Sequence, residues 1–479
     1  MKQTFPSLLA RALRCVLLIA VVGTAGAPLD AAPAAAHAPW KAGVATRKIT
    51  PAGPIWLAGY ASRIAPSDGV DLDIFAKALA LDDGQGGRAV IVTLDLIRVP
   101  LALREYVEHA CAQQFGLKPN ELLLNSSHTH SGPELEGDRM VLETVFSRMA
   151  KPEHIAALTA YEGFLRQSIV DVIGESLKSP WAARLDFCQA RAGFAMNRRR
   201  LDPKGVISNN PNPDGPVDHD VPVLKVSGVD GQIRALLFGY ACHNTTLGGT
   251  KVSGDYAGYA QQYLESSYPG ATALFMIGCG GDQNPYPRGN MAPGQTVDES
   301  VKQHGRALAN AVHTALAARP RPVQGPLRTA LGQAMLDYEP LSKGELAQFA
   351  GAAYTPGVIE RARNLTRALE RGERPAPLAC PVQVLQFGND LTLVAIGGEV
   401  VVDYSLRLKR ELKGTSAVWV AGYSNNVFGY LGSRRVIEEG GYEGGGANTR
   451  ILNLPGRFSY GAEDAVVAKV HELRRQMQP

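Results

Sequence analysis

Short apolar runs that stop at a chemically reactive residue recur along this chain, and they restrict it to a layered α/β core. Leu122–Leu124 leads into His128-Thr129-His130, Ile233–Tyr240 into Cys242-His243-Asn244, Ala271–Ile277 into Gly281-Asp282, and Leu391–Ile396 into Gly397-Gly398-Glu399. Ala89–Leu94, another apolar and β-branched run, ends in Asp95. Such runs read as buried strands. In α/β sheets ligands sit outside strand ends, so these separate termini could line one pocket.

Helical spacing falls between the strands, over Leu101–Phe115, Ile155–Leu177, Ser253–Tyr268, Ser300–Leu316, Val402–Leu412 and Ala462–Met477. Strand and helix in alternation predict a mixed-sheet core with flanking helices and an active site at the strand ends. Val382–Phe387 and Leu391–Ile396 make a hairpin across Gly388-Asn389-Asp390. The polar stretch Asn209–Asp220 reads as a long loop, Leu341–Leu369 as a helical insertion, and Gly422–Gly446 as a glycine- and aromatic-rich loop.

Residues 1–27 read as a secretory signal: Lys2, Arg11 and Arg14 precede the apolar stretch Cys15–Val22 and a run of small residues. Residues 28–40 are an Ala/Pro-rich lead-in, and 41–479 form one catalytic domain, expected in the periplasm or outside the cell. No later window of about 18 apolar residues suggests a membrane span. The net charge of +4 leans on the signal's basic residues, which leaves no broad electrostatic case for nucleic acid. Arg198-Arg199-Arg200 is the one basic cluster, either a solvated loop or the wall of a cleft. Cys111, Cys188, Cys242, Cys279 and Cys380 are odd in number and form no CxxC pair, so at least one thiol stays free and thiolate-held zinc is disfavoured.

Two imidazoles two residues apart after a strand suit a metal, but zinc takes three or four protein ligands. With the segment extended, Thr129 separates His128 and His130 so that both rings face one side. One ring could bind metal while the other faces substrate. His243 is the best third candidate. Glu399 is the best carboxylate, either a ligand or the neighbour of a helix N-cap. Asp95 and Asp255 could fix imidazole tautomers or cap helices. A serine nucleophile is the weaker reading, because no GxSxG elbow occurs.

His128-Thr129-His130-Ser131-Gly132-Pro133, Asn197-Arg198, Ser253-Gly254-Asp255, Gly281-Asp282, Gly398-Glu399, the Gly422–Tyr430 segment and Tyr442-Glu443-Gly444 occur in order. Together they resemble the neutral/alkaline ceramidases. The resemblance implies a Zn2+ ion on His128, His243, Glu399 and Tyr430. It also implies that His130 faces the substrate and that Arg198 and Tyr442 steady the amide or its tetrahedral intermediate. Asn284, beside Asp282, stands where the family has a serine; water activated by a metal does not need that serine. No length remains for the immunoglobulin-like C-terminal domain of the full-length ceramidases.

The expectation is a zinc-dependent amidohydrolase acting on an N-acylated amine or ceramide-like lipid, a substrate class that brings transient contact with a membrane surface. A metal-dependent esterase or lactonase and a non-catalytic lipid- or sugar-binding protein are the alternatives.

Overall fold

The computed structural model describes residues 40–135, 151–288, 294–351, 356–414, 416–450 and 454–478. The signal and nearly all of the lead-in lie outside the described residues. The first strand begins at Trp40.

Apolar alternation within each run explains the layering. In Arg88–Leu94, Val90, Val92 and Leu94 face one cluster while Ala89 and Ile91 face another. Ile233–Tyr240 divides likewise, with Leu236, Phe238 and Tyr240 on one side and Ala235 and Leu237 on the other. Both faces are apolar because both are covered. The inner cluster joins two sheets, packing Ile91, Leu123, Leu237 and Leu274 against Leu385, Leu393 and Trp419. The outer clusters hold the helices. Leu101–Phe115 and Pro152–Lys178 cover one part of the larger sheet, Asp255–Ser267 and Val297–Ala317 another, and Val402–Glu411 with Ala462–Gln476 cover the smaller sheet. The structure is thus a mixed α/β fold with central sheets flanked by helices.

The larger sheet has nine strands among the described residues. Its main path runs Thr272–Ile277, Ile233–Tyr240, Asp220–Gly228, Trp181–Arg191, Trp40–Lys48, Phe75–Asp82, Arg88–Leu94 and Leu122–Ser126. Thr272–Ile277 and Leu122–Ser126 are therefore opposite ends of this path, yet the Ile277 amide donates to Asn125 Oδ1 at 3.1 Å. The sheet curls until its two ends meet. The smaller sheet runs Leu327–Leu336, Leu378–Phe387, Leu391–Ile396, Ala417–Ala421, and the bridges Asn125↔Ser424 and Gly278↔Ala421 bring its end to the same place.

Some expectations fail locally. Of the stretch Asn209–Asp220 read as loop, the part up to Asn212 belongs to a strand, Ile207–Asn212, paired with Ala195–Leu201; its Ser, Asn and Pro residues lie at a partly exposed edge, where little apolar surface is required. Gly422–Gly446, also read as loop, contains the helix Arg434–Glu439. Leu327–Leu336, not singled out, is a full strand paired along its length with Leu378–Phe387. The expected insertion comprises the helices Lys343–Phe349 and Pro356–Glu370 around a small cluster of Leu341, Leu346, Phe349 and Ala362. The five cysteines among the described residues are all free and buried.

Gly43 tests the packing of the Trp40–Lys48 strand on the long helix. A Cβ there would lie 1.9 Å from the Ser176 carbonyl oxygen, a backbone atom that cannot swing away. Gly43→Ala is expected to cost ~1–3 kcal/mol through overpacking, read as a lower midpoint of thermal unfolding. An unchanged midpoint would show that strand and helix separate freely.

Candidate metal centre

Three parallel strand pairs end together at the site. Leu94 pairs with Ser126, Tyr240 with Ile277, and Ala395 with Ala421. Just beyond these ends lie His128 and His130, then His243 and Asp282, then Glu399. A short parallel ladder pairs Glu399 directly with Tyr430, and a bridge joins Thr129 to Asn244.

His128 does not sit in an extended segment as expected: its φ is +59°, a left-handed conformation uncommon for a side chain with a Cβ. Two contacts hold it there. Its amide donates to Leu96 O at 2.9 Å and its ring lies 4.5 Å from that of Tyr423, itself at φ +50°. The turn still brings the His128 and His130 rings to 4.8 Å, nearly perpendicular. Gly59 makes room on the far side, since a Cβ there would meet the His130 ring at 2.5 Å.

Backbone carbonyls set the tautomers. His128 Nδ1 lies 2.7 Å from Ile97 O, and His243 Nδ1 lies 2.7 Å from Gly280 O. A carbonyl only accepts, so each Nδ1 carries the proton and each neutral ring turns its Nε2 lone pair into the site. Glu399 Oε2 stands 3.2 Å from His128 Nε2 and 3.6 Å from His243 Nε2. It is buried and has no hydrogen-bond donor. Tyr430 Oη is 3.4 Å from His243 Nε2, and His130 Nε2 is 3.2 Å from His128 Nε2.

Acceptors facing one another without donors require a positive centre between them. Tetrahedral ligands of zinc are spaced by roughly 3.3–3.6 Å given their bond lengths, so the donor set fits such an ion. His128, His130 and His243 alone offer nitrogens within 4.8 Å of one another, a cluster that could coordinate a metal ion.

The local charges keep His243 and His130 neutral beside a carboxylate. Burial first, then Arg198, takes His243 down to about 3. Burial first, then His128 and His243, holds His130 well below the usual histidine range. Burial alone would raise Glu399, but positive charge shared with His128 and His243 outweighs it and keeps the carboxyl well below its ordinary value, the same pull a cation held between them would exert. Burial, then Glu399, pushes the Tyr430 phenol up, with Arg198 pulling the other way.

Arg198 is not on a solvated loop. It lies in the Ala195–Leu201 strand, 4% exposed. Nε donates to Glu443 Oε1 at 2.7 Å, Nη1 to Asn284 Oδ1 at 3.2 Å and Nη2 to Tyr430 Oη at 3.0 Å. The other Glu443 oxygen takes Arg199 Nη1 at 2.7 Å. Tyr442 packs edge-on to Tyr430 with ring centroids 5.3 Å apart.

Asp95 and Asp255 do not orient the imidazoles. Asp95 accepts from the Phe75 amide at 3.0 Å and from Gln261, while Asp255 accepts from the amides of Leu247 and Tyr256 at 2.8 and 2.6 Å. Burial demands local partners, and backbone amides supply them. Glu443, Tyr423, Tyr60 and Arg63 are functional neighbours that spacing did not single out. Tyr60 lies 4.9 Å from the His130 ring, and Arg63 Nη2 donates to His130 O at 2.7 Å. Only Glu443 carried a signal, as an acid in a glycine run beside Tyr442.

Asp282 accepts from the Val402 amide at 2.9 Å and from Asn197 Nδ2 at 3.1 Å. Burial nonetheless pushes it up from the ordinary carboxyl value of 3.8 to about 7. The folded state therefore binds more protons than the unfolded state between these values, so this group's contribution to stability falls as pH rises from about 4 to 7. Asp282→Asn removes that titration. Relative to the parent, the variant should gain stability across this window, by at most ~1.4 kcal/mol per pH unit. Denaturant unfolding at pH 4, 5.5 and 7 reads the trend, and parallel curves for the two proteins would disprove it.

The family described as neutral/alkaline non-lysosomal ceramidase, N-terminal, matches residues 40–293, more than half of the chain. Neutral ceramidase B of Dictyostelium discoideum is 26% identical over 264 residues, 49% of this chain and 33% of that protein. Neutral ceramidase A of the same organism is 28% identical over 258 residues, 48% of this chain and 34% of that protein. The matched region thus spans about a third of these relatives' length. The crystal structure of neutral ceramidase from Pseudomonas aeruginosa superposes with a TM-score of 0.71 at 19% identity, covering 92% of this chain and 75% of that one. A ceramidase complexed with C2 gives 0.68 at 18% identity, covering 90% and 76%. The chain belongs to the neutral/alkaline non-lysosomal ceramidase family.

Proposed function

We propose that this protein is an exported zinc-dependent hydrolase that cleaves linear amide bonds of N-acylated amines. The observation that carries the reading is the meeting of two tautomer-locked imidazoles with a buried carboxylate oxygen that has no donor. His128, His243, Glu399 and Tyr430 would hold the ion, and His130 would face the substrate. Zinc bound there would acidify a water and polarise the scissile carbonyl.

The chain's own residues supply the remaining work. Arg198 stays charged because Tyr430 and Glu443 more than offset the cost of its burial. Three of its five N–H groups are directed to Glu443, Asn284 and Tyr430. The remaining two are available to the oxyanion that forms as water adds to the acyl carbon. His130 is neutral, and its buried Nδ1 has no hydrogen-bond partner. It can take a proton and pass it to the nitrogen as the C–N bond breaks. The products are a carboxylic acid and an amine. Asn284 binds Arg198 rather than serving as a nucleophile. Export rests on the N-terminal pattern of basic, apolar and small residues.

His243→Ala should lose bound zinc and amide hydrolysis together, read by metal analysis and a product assay on paired amides and esters of one acid. Full zinc content in that variant, or turnover of esters alone by the parent, would overturn the reading. Arg198→Lys should keep the metal yet lose ~10²-fold in kcat, because an ammonium cannot reproduce the planar array of donors.

A further inference from the structure

A cavity of about 870 Å³ opens beside the histidines, with Tyr60, Ser131, Thr245 and Arg288 on its wall. Tyr60 packs against His130, Ser131 follows His130 in the chain, and Thr245 Oγ1 lies 3.5 Å from Asn284 Oδ1. This wall therefore adjoins both the histidines and the Arg198 network. We propose that Arg288 in this cavity binds the carboxylate of an N-acyl amino acid, the carboxylate being on the amine side of the scissile bond. The proposal rests on the amidohydrolase reading and specifies its substrate class.

Charge balance on the wall carries the argument. Arg288 is half-buried, and its one recorded hydrogen bond is a long one, 3.5 Å, to the neutral Thr245 hydroxyl. Among the described residues no carboxylate lies within ion-pair distance of it. The two acids on the wall, Asp71 and Asp298, are exposed to solvent. Asp71 already accepts from the hydroxyls of Ser253 and Tyr259 at 3.1 and 3.0 Å. Asp298 sits in the first turn of Val297–Ala317, where exposed amides offset its charge. Lys251 is the second cation on the wall. Arg288 therefore leaves positive charge where the wall adjoins the histidines.

A carboxylate is the complement of a guanidinium, which offers it two parallel donors. Among the described residues, Leu247, Val297 and the Tyr60 ring offer apolar contact on the same wall to the acyl chain.

N-hexanoylglycine and N-hexanoylethanolamine share an acyl group and differ in the carboxylate, so the zinc-loaded protein can be assayed on both. The expected result is a preference for the glycine conjugate in kcat/KM of about 10- to 100-fold, the range for a charged hydrogen bond. Arg288→Met should collapse that ratio through KM, and Arg288→Lys should restore part of it. Calorimetry with N-hexanoylglycine on the metal-free protein supplies a readout independent of turnover, and its Kd should rise about tenfold or more in Arg288→Met. If the parent binds that compound and Arg288→Met weakens it, yet neither amide is cleaved, the hydrolase reading fails while the carboxylate site stands. A ratio and a Kd that Arg288→Met leaves within about twofold of the parent overturn the carboxylate site while leaving amide hydrolysis intact.

Discussion

The contact on which the site depends is between Glu399 Oε2 and the Nε2 atoms of His128 and His243. It is repulsive for neutral rings unless a cation lies between, and the rings cannot relieve it by changing tautomer. Doing so would leave Ile97 O and Gly280 O facing lone pairs at 2.7 Å. The protein thus holds unfavourable electrostatics in a preorganised form that a metal ion turns favourable. Maintaining it takes the whole architecture, because His128 follows one end strand of the larger sheet's path, His243 follows the strand next to the other end, and Glu399 follows a strand of the smaller sheet. The curl that lets Ile277 reach Asn125 is as necessary to the site as any ligand.

Buried charge around this centre is arranged so that no member can be removed alone. Arg198 and Arg199 share Glu443, and Arg198 also donates to Tyr430. A buried ion pair gives little net stability, but removing one partner leaves a desolvated charge uncompensated. Glu443 is therefore better understood as fixing the orientation of Arg198 than as a source of stability. Its bidentate use, one oxygen to each guanidinium, explains how two adjacent arginines are both buried in one strand.

The strands were legible because covering on both faces forces near-continuous apolar runs, and their ends pointed to His128, His243, Asp282 and Glu399. What escaped sequence reading either lacked an apolar pattern or had its partners far away in the chain. Leu327–Leu336 is only partly buried and mixes Ala, Gly, Gln and Thr, so it shows weak alternation although its pairing with Leu378–Phe387 is complete. Ile207–Asn212 lacks apolar residues beyond Ile207. The left-handed turns at His128 and Tyr423 leave no trace in composition, since each is imposed by tertiary hydrogen bonds and by the tilted packing of the two rings. Asp95 and Asp255 show the opposite limit: acids at strand and helix ends invite a role beside the imidazoles, and nearby amides claim them first.

Fold similarity at 18–19% identity extends over nine-tenths of the chain, while the cavity wall depends on a few side chains in loops beyond the strand ends. Such loops can change without disturbing the two-sheet core, so a common fold constrains the position of the chemistry more than its substrate. Here the histidine cluster is built from strand termini and buried bonds, whereas Thr245, Leu247, Arg288 and Val297 belong to connecting segments or the opening of a helix. The histidine cluster and the cavity wall are thus separable in physical terms. The first is fixed by the register of parallel strands, and the second by which charge a loop leaves unpaired.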